Sequence, residues 1–553
     1  MNILFIMYDQ LRFDYLSCAG HPFLETPNFD RVAAKGVRFT NAYVQSPVCG
    51  ASRMSTYTGR YPSSHGAQWN NYPIRVGEQT MGDHLRKAGM ECWLIGKTHM
   101  KVDAEGFERL GLDIDSVIGT RQAECGFDVW VRDDGLWGQG PDGWYDEKRS
   151  PYNEYLKSKG YEAENPWAHF ANAGVDEDDK VASGWMFMNA DKQANVREED
   201  SETAWLTDET IKFMEHARES GKGPWCTHVS YIKPHWPYIV PAPYHDMYSA
   251  NQILPPVRSE AERENPQPVY GAYMENRIAS AFQQDEVRRK VIPAYMGLIK
   301  QCDDHLGRIL DYLDETGQAD DTMIVLTSDH GDYLGDHWLG EKDLFHEQSV
   351  KVPMIILDPR PQADSARGTT CDALVEQIDL APTFLELQGG EAVGHILEGR
   401  SLVPWLEGRK PEDWRDCAVS EFNYASTPQA VKLGVKPVDA RLFMVFDGRY
   451  KMMHAEGGFR PMVFDLDQDP DELDDLGKQL DQPGVQKIVE GLYEKLHRWA
   501  LRSSQRVTKS DKDVIAMRGK SLRRGILPFL VDGGEVDEEL LVGYRGKVGK
   551  RPE

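Results

Sequence analysis

TMIVLTSDHGD, residues 322–332, is an unbroken apolar run that ends abruptly in Asp329, His330 and Asp332. A run of Met, Ile, Val and Leu without polar alternation predicts a strand buried on both faces, as in a parallel sheet. NILFIMYD, residues 2–9, repeats the pattern and ends in Asp9, with Gln10 next. Ligand sites in open α/β sheets lie beyond the carboxyl ends of the strands. Two such strands therefore bring carboxylate, amide oxygen and imidazole to one rim. That set suits a divalent cation, and the imidazole favours Mn²⁺ over Mg²⁺ or Ca²⁺.

The neighbouring segments support a sheet covered by helices. TPNFDRVAAKG, residues 26–36, predicts a helix with Pro27 at its first position and Gly36 as its stop. MGDHLRKAGMECWLIGK, residues 81–97, predicts a helix ending at Gly89 and a strand through Cys92–Ile95. PWCTHVSYIKPH, residues 224–235, and VPMIILD, residues 352–358, read as further strands. Apolar residues at helical spacing from Pro293 to Thr316 predict a helix. The expected fold is a large, mostly parallel α/β sheet sandwiched by helices, over residues 1–400.

Within it, residues 101–290 are rich in Trp, Tyr, Gly, Pro and acidic residues with weak periodicity. They are expected to be excursions that shape a pocket, with Trp144 and Tyr145 as candidate lining. RLFMVFDGRYKMMH (441–454) and RPMVFDLDQDPDEL (460–473) predict short strands, followed by a helix over 483–503. Residues 401–505 are thus expected to form a small antiparallel sheet plus helix. The last segment, 506–553, mixes basic residues with Ile526, Pro528, Phe529 and Leu530. It is expected to be an arm that joins subunits of a homo-oligomer, a dimer or tetramer.

The chain has 553 residues, ordinary hydrophobic (40%) and charged (27%) content and a net charge of −26. That charge argues against a nucleic-acid partner. MNILFIMYD lacks the basic start of a signal peptide, and no apolar run approaches the roughly 20 residues that span a bilayer. Eight scattered cysteines without a CxxC pair fit free thiols. The expectation is a cytoplasmic protein with no membrane partner.

In QSPVCGASRMSTYTGRYP, residues 45–62, Cys49 sits in polar surroundings and opens a predicted helix that Gly59 ends. Backbone N–H groups and the helix dipole make that position suited to anions and to a lowered thiol pKa. Arg53, one turn on, is expected to point back and hold a tetrahedral oxyanion.

CGASR resembles the sulfatase motif C-x-P-S-R, with Ala51 where most sulfatases have proline. TYTGRYPSSHG (56–66), IGKTH (95–99), KPHWPY (233–238), TSDHGDYLGDH (327–337) and VFDLDQDPDELDDL (463–476) also resemble that family, in its order. The family belongs to the alkaline phosphatase superfamily. The resemblance implies conversion of Cys49 to formylglycine by a formylglycine-generating maturation enzyme. It implies one divalent metal held by Asp9, Gln10, Asp329 and His330 beside residue 49. It implies a formylglycine-dependent hydrolysis of small sulfate monoesters, arylsulfatase-type.

In that reading Arg53, Lys97 and Lys342 neutralise the substrate's oxygens, His235 is the acid, shared with Lys342, and His99 is the base. Asn70, in QWNNYP, is a candidate for binding a substrate oxygen. His346 in the Lys342 segment, GEKDLFHEQ, reads as structural, as do His65 and Asp14. Gln10, His330, Asn70 and the long tail resemble phosphonate monoester hydrolases and phosphodiesterases, so activity on both ester types is expected. Lys97 and His99 resemble the sulfatases instead. The alternatives are a phosphonate monoester hydrolase or phosphodiesterase, and a non-catalytic binder of sulfated or phosphorylated ligands.

Overall fold

The computed structural model describes residues 1–135, 150–176, 178, 180–391, 393–502 and 508–518. Trp144, Tyr145, Ile526, Pro528, Phe529 and Leu530 lie outside the described residues, as does most of the expected arm. Residues 1–391 and 397–502 form one compact unit, which contains both large sheets. Residues 393–396 and 508–518 belong to a second unit. Its helix, Asp511–Met517, is capped by Ser510, whose side chain accepts from the Asp513 N–H.

The main sheet has eight strands. Asn2–Asp9 lies near its middle, parallel to Thr322–Ser328 on one side and to Trp225–Pro234 on the other. Glu91–Gly96 and Asp128–Arg132 extend the sheet beyond Trp225–Pro234, in parallel. On the other flank, Met354–Leu357 runs antiparallel to Thr322–Ser328 and to Val37–Tyr43, and Thr369–Glu376 closes the edge. Strand Met354–Leu357 departs from the parallel pattern for a local reason. Only loops and short helices such as Glu347–Val350 precede it. With no crossover helix to carry the chain back, the strand starts at the rim where Thr322–Ser328 ended.

Asn2–Asp9 is buried from Ile3 onward, and Thr322–Ser328 throughout. Leu4, Ile6, Ile324 and Leu326 face a core shared with the helix Asp285–Glu315 through Val291, Ile299, Leu306 and Leu313. That helix begins well before the Pro293 expected to open it. Proline is unfavourable inside a helix, but burial of Val287, Val291 and Ile292 carries the helix through it. The stretch 101–290 holds more regular structure than its composition suggests. It includes the strands Asp128–Arg132 and Trp225–Pro234, the helix Glu202–Ser220 and a three-stranded sheet from Ala173–Val175, Val181–Ser183 and Gln193–Ala194.

The second large sheet is antiparallel, in the order Ala418–Asn423, Arg441–Phe446, Tyr450–Ala455, Met462–Asp465. The helix Pro483–Ala500 packs on it through Val485, Val489 and Leu492. All eight cysteines are free thiols. Among the described residues no helix is long and apolar enough to cross a membrane.

A candidate active site at the sheet rim

The two strands that opened the sequence reading end side by side. Asp9 and Asp329 are fully buried at the rim, and the Gln10 N–H donates to Asp329 Oδ1 at 3.1 Å. Helix Cys49–Thr58 starts directly above them. Its first residue places Cys49 Sγ 3.0 Å from His330 Nε2, 3.0 Å from Lys342 Nζ and 3.8 Å from Asp9 Oδ1. Asp9, Cys49, Asp329 and His330 each offer one ligand atom, all within 4.8 Å of one another.

Gln10 completes the set. Its Nε2 donates to Asp332 and, at 3.1 Å, to Tyr238 OH, while its Oε1 accepts from Lys342 Nζ at 3.4 Å. The carboxylate therefore fixes the amide with its oxygen toward the Cys49 side. The His330 Nδ1 lies 2.8 Å from the Gly331 carbonyl, an acceptor, which fixes the tautomer and leaves Nε2 as the donor atom for a metal. Oxygen and imidazole donors around one point, two of them carboxylates, fit a divalent ion.

Arg53 pairs with the two strand-end carboxylates. Its guanidinium is fully buried below the rim. Nε donates to Asp329 Oδ2 at 2.7 Å, Nη2 to Asp9 Oδ2 at 3.1 Å, and Nη1 to Ser230 Oγ at 2.7 Å and the Lys97 carbonyl at 3.1 Å. One turn of helix carries it past the anion position into the gap between strand ends. There it ties the two carboxylates together, and its donors are largely committed to protein.

Gly96 turns the chain with φ +100°, and a Cβ there would meet the Ser230 carbonyl at 2.2 Å. This tight exit aims Lys97 at the rim, where Nζ donates to Asp9 Oδ2 at 2.5 Å. His99, with φ +55°, is anchored by its own N–H to Asp134 Oδ1 at 3.1 Å. Its Nδ1 is buried without a hydrogen-bond partner, and it makes no hydrogen bond to Cys49 among the described residues. Lys342 projects from a loop in which Glu341 and Asp343, on either side, have φ +59° and +96°. Such backbone is costly for residues with side chains and marks a loop held in place by its surroundings.

Lys342 Nζ also lies 3.2 Å from His235 Nε2, and His235 Nδ1 lies 2.6 Å from the Trp236 carbonyl. His235 is thus a neutral imidazole that accepts from Lys342. Lys233 points elsewhere, donating to the Pro237 carbonyl at 2.9 Å and bracing the turn. Asn70 faces the helix start: its Oδ1 accepts from the Gly50 N–H at 2.7 Å. A Cβ at Gly50 would meet that oxygen at 2.8 Å, so a larger residue there would displace the Asn70 amide.

The electrostatics follow from burial and from the crowd of charges. Burial pushes the Cys49 thiol up, but Lys342, His330, Lys97 and His235 outweigh it and hold it well below the usual thiol range. Burial and the Cys49 charge raise Asp9; Lys97, His235 and Arg53 overcome them and keep it ionised. Burial lowers His330, yet the charges of Asp329 and Cys49 raise it to about 9. Burial, helped by Lys342, lowers His235 to about 4. Burial lowers Lys342 as well, but Cys49 and Asp9 win and keep it protonated.

Asp332 and Tyr238 lay inside quoted motifs without being read as part of the site. Their signal was weak, because orientation of Gln10 depends on contacts across the fold. Ser230 and Asp134 gave none.

A buried nucleophile position, two carboxylates, an amide oxygen and an imidazole at the rim of a mostly parallel sheet define a hydrolase of the alkaline phosphatase superfamily. The sulfatase family profile matches residues 1–390, and the profile for the N-sulphoglucosamine sulphohydrolase C-terminal region matches residues 335–502. The chain belongs to the sulfatase family, and the family and its sulfatase relatives make it a sulfuric ester hydrolase. It is 31% identical, over 91% of its length and 96% of the relative's, to the multifunctional alkaline phosphatase superfamily protein PehA of Trinickia caryophylli. It is 28% identical to the arylsulfatase of Clostridium perfringens, over 86% of this chain and 90% of that one. The phosphonate monoester hydrolase of Silicibacter pomeroyi superposes with a TM-score of 0.78 at 28% identity, covering 92% of this chain and 96% of that chain.

Proposed function

We propose that this enzyme hydrolyses small sulfate monoesters, arylsulfatase-type, through an oxidised Cys49 and one divalent ion. The observation that carries the reading is the position of Cys49 Sγ, 3.0 Å from both Lys342 Nζ and His330 Nε2 and buried among metal-ligand side chains. A thiol kept there for packing alone would have no use for that field.

Asp9, Gln10, Asp329 and His330 would hold the ion, Mn²⁺ by preference. When bound, such an ion polarises ester oxygens and lowers the pKa of a hydroxyl nucleophile. Formylglycine at position 49, as its hydrate, would supply that hydroxyl and a second one for release of the transferred group. Its formation calls for a formylglycine-generating maturation enzyme.

The remaining work falls to this chain's side chains. Lys97 and Lys342 are charged donors beside position 49, suited to the charge that builds on the transferred group's oxygens. Lys342 and His235 share a hydrogen bond, and we assign this pair the proton for the leaving oxygen. His99, with its unpartnered Nδ1, is assigned as the base that resets residue 49. Arg53 acts through Asp9 and Asp329 and is a positioning residue. Asn70 has its amide nitrogen left for a substrate oxygen after its oxygen binds Gly50.

The second reading is a phosphonate monoester hydrolase or phosphodiesterase. It is favoured by the 0.78 TM-score to a phosphonate monoester hydrolase and by the relative named multifunctional. Sulfate monoesters, phosphonate monoesters and phosphodiesters all carry one negative charge, so one pocket suits all three, and we expect promiscuity. Parallel kcat/KM measurements on an aryl sulfate, a phenylphosphonate monoester and a phosphodiester test the ranking. A sulfate preference supports the first reading; a preference for phosphorus by several orders of magnitude replaces it with the second.

Two wider assignments complete the proposal: a cytoplasmic protein, and a homo-oligomer held by residues 506–553. Deletion from residue 510 should reduce the solution mass to that of a smaller assembly.

A further inference from the structure

Glu262, His337 and His346 form a second group of metal-ligating side chains, separate from the Cys49 centre. One ligand atom from each lies within 4.8 Å of the others. His337 and His346 are buried, at 0% and 1% exposure, and Glu262 is partly exposed.

Each imidazole has one nitrogen committed. His337 Nδ1 lies 2.7 Å from Glu262 Oε1, and His346 Nδ1 lies 3.0 Å from Tyr333 OH. The other nitrogen of both rings, Nε2, is buried with no hydrogen-bond partner. A buried polar group left unpaired is destabilising, and two in one spot call for an explanation. The rings stack with centroids 3.8 Å apart and planes within 10°. A cavity of about 20 Å³ is lined by His346, Glu262, Glu472 and Tyr270, room for about one water or one ion.

The charges nearby tolerate a cation. Lys451 is matched by Glu347 at 2.5 Å and Glu472 at 2.8 Å. Of the two cations lining the cavity, Arg460 is matched by Asp475 at 2.5 Å and Lys478 donates to the Ala261 carbonyl at 3.0 Å. Glu262 adds a further negative charge. The backbone is also held against its preferences here: Leu334, His337 and Trp338 have φ of +49°, +51° and +61°.

We propose that Glu262, His337 and His346 bind a second divalent metal ion of borderline softness, of which Zn²⁺ is the type. Two imidazoles and a carboxylate are a set that Zn²⁺ accepts, with water as a fourth ligand. An imidazole nitrogen donates in its ring plane, so when the ion enters the stacked rings must splay and Glu262 must exchange its contact with His337 Nδ1 for the ion. The consequence is mechanical. Lys342 lies in sequence between His337 and His346, so an ion on both would pin the ends of the loop that carries it. The inference does not depend on formylglycine or on sulfate as substrate.

The test uses the full-length protein, stripped with a chelator, reloaded with Zn²⁺ alone, desalted and assayed for metal per chain. The wild type should retain two ions. His346→Gln should retain one, and Glu262→Gln should hold the second at least tenfold more weakly. Co²⁺ in the same site should give the visible bands of a tetrahedral nitrogen- and oxygen-ligated ion, lost in His346→Gln. One Zn²⁺ per wild-type chain, or two held at wild-type strength by both variants, overturns the proposal. Glu262 is partly exposed, so Glu262→Gln decides the matter should His346→Gln fail to fold.

Discussion

Arg53 Nε donates to Asp329 Oδ2 at 2.7 Å from a fully buried position, and its Nη2 reaches Asp9 Oδ2 at 3.1 Å. The arginine of the CGASR segment therefore spans the ends of the two strands on which the site is built. Arg53→Ala strips Asp329 of its arginine and leaves Asp9 with Lys97 alone. Stability should fall by about 3–5 kcal/mol, and metal affinity should fall with it. Denaturant melts and metal titration check this. A loss confined to kcat/KM, with metal affinity and stability unchanged, would return Arg53 to the anion-binding role.

Asp332 orients Gln10 by accepting from its amide nitrogen, and Tyr238 helps. Asp332→Ala should free the Gln10 amide to rotate and lower metal affinity by about 10- to 100-fold. Tyr238→Phe should do less. Equilibrium dialysis of the metal reads both, and unchanged affinity in Asp332→Ala contradicts the role.

Lys342 touches Cys49, Gln10 and His235 at once. Lys342→Met should lower kcat/KM by about 10²–10³-fold, the scale of losing one charged transition-state donor. The effect should shrink on esters with very acidic leaving groups if Lys342 also helps proton delivery. Equal loss on all leaving groups would confine Lys342 to charge stabilisation.

His65 and His228 are buried and neutral; burial pushes both down to about 3. Their unfolded value is about 6.5, so the unfolded chain binds more protons below that pH. Stability is fully present above about 6.5 and is lost as pH falls toward 3, by about 1.4 kcal/mol per pH unit for each ring. His65→Gln should flatten the slope by one ring's share. Denaturant midpoints at pH 7 and pH 5 test it, and an unchanged slope contradicts it.

What the sequence disclosed was set by local pattern. Asn2–Asp9 and Thr322–Ser328 are apolar throughout because both faces of the sheet are covered, and that alone placed Asp9 and Asp329 at one rim. Cys49 was legible because a cysteine at a polar helix start is out of place as packing. Arg53 lies deeper than its spacing indicated, because spacing on the helix sets direction but not depth, and depth came from Ser230 and the two strand ends. The roles of Asp332 and Tyr238 depend on long-range contacts to Gln10, and the pairing of His337 with His346 on the path of the loop between them, with no period to betray either. Pro293 misled as a helix start because burial of Val287, Val291 and Ile292 carries the helix back through the turns before it.

The most direct test of the account is the mass of the peptide containing residue 49, measured on protein that turns over sulfate esters after exposure to the maturation enzyme. The account predicts formylglycine at that position, in proportion to activity across preparations. Fully active protein that carries only unmodified cysteine at position 49 would contradict it.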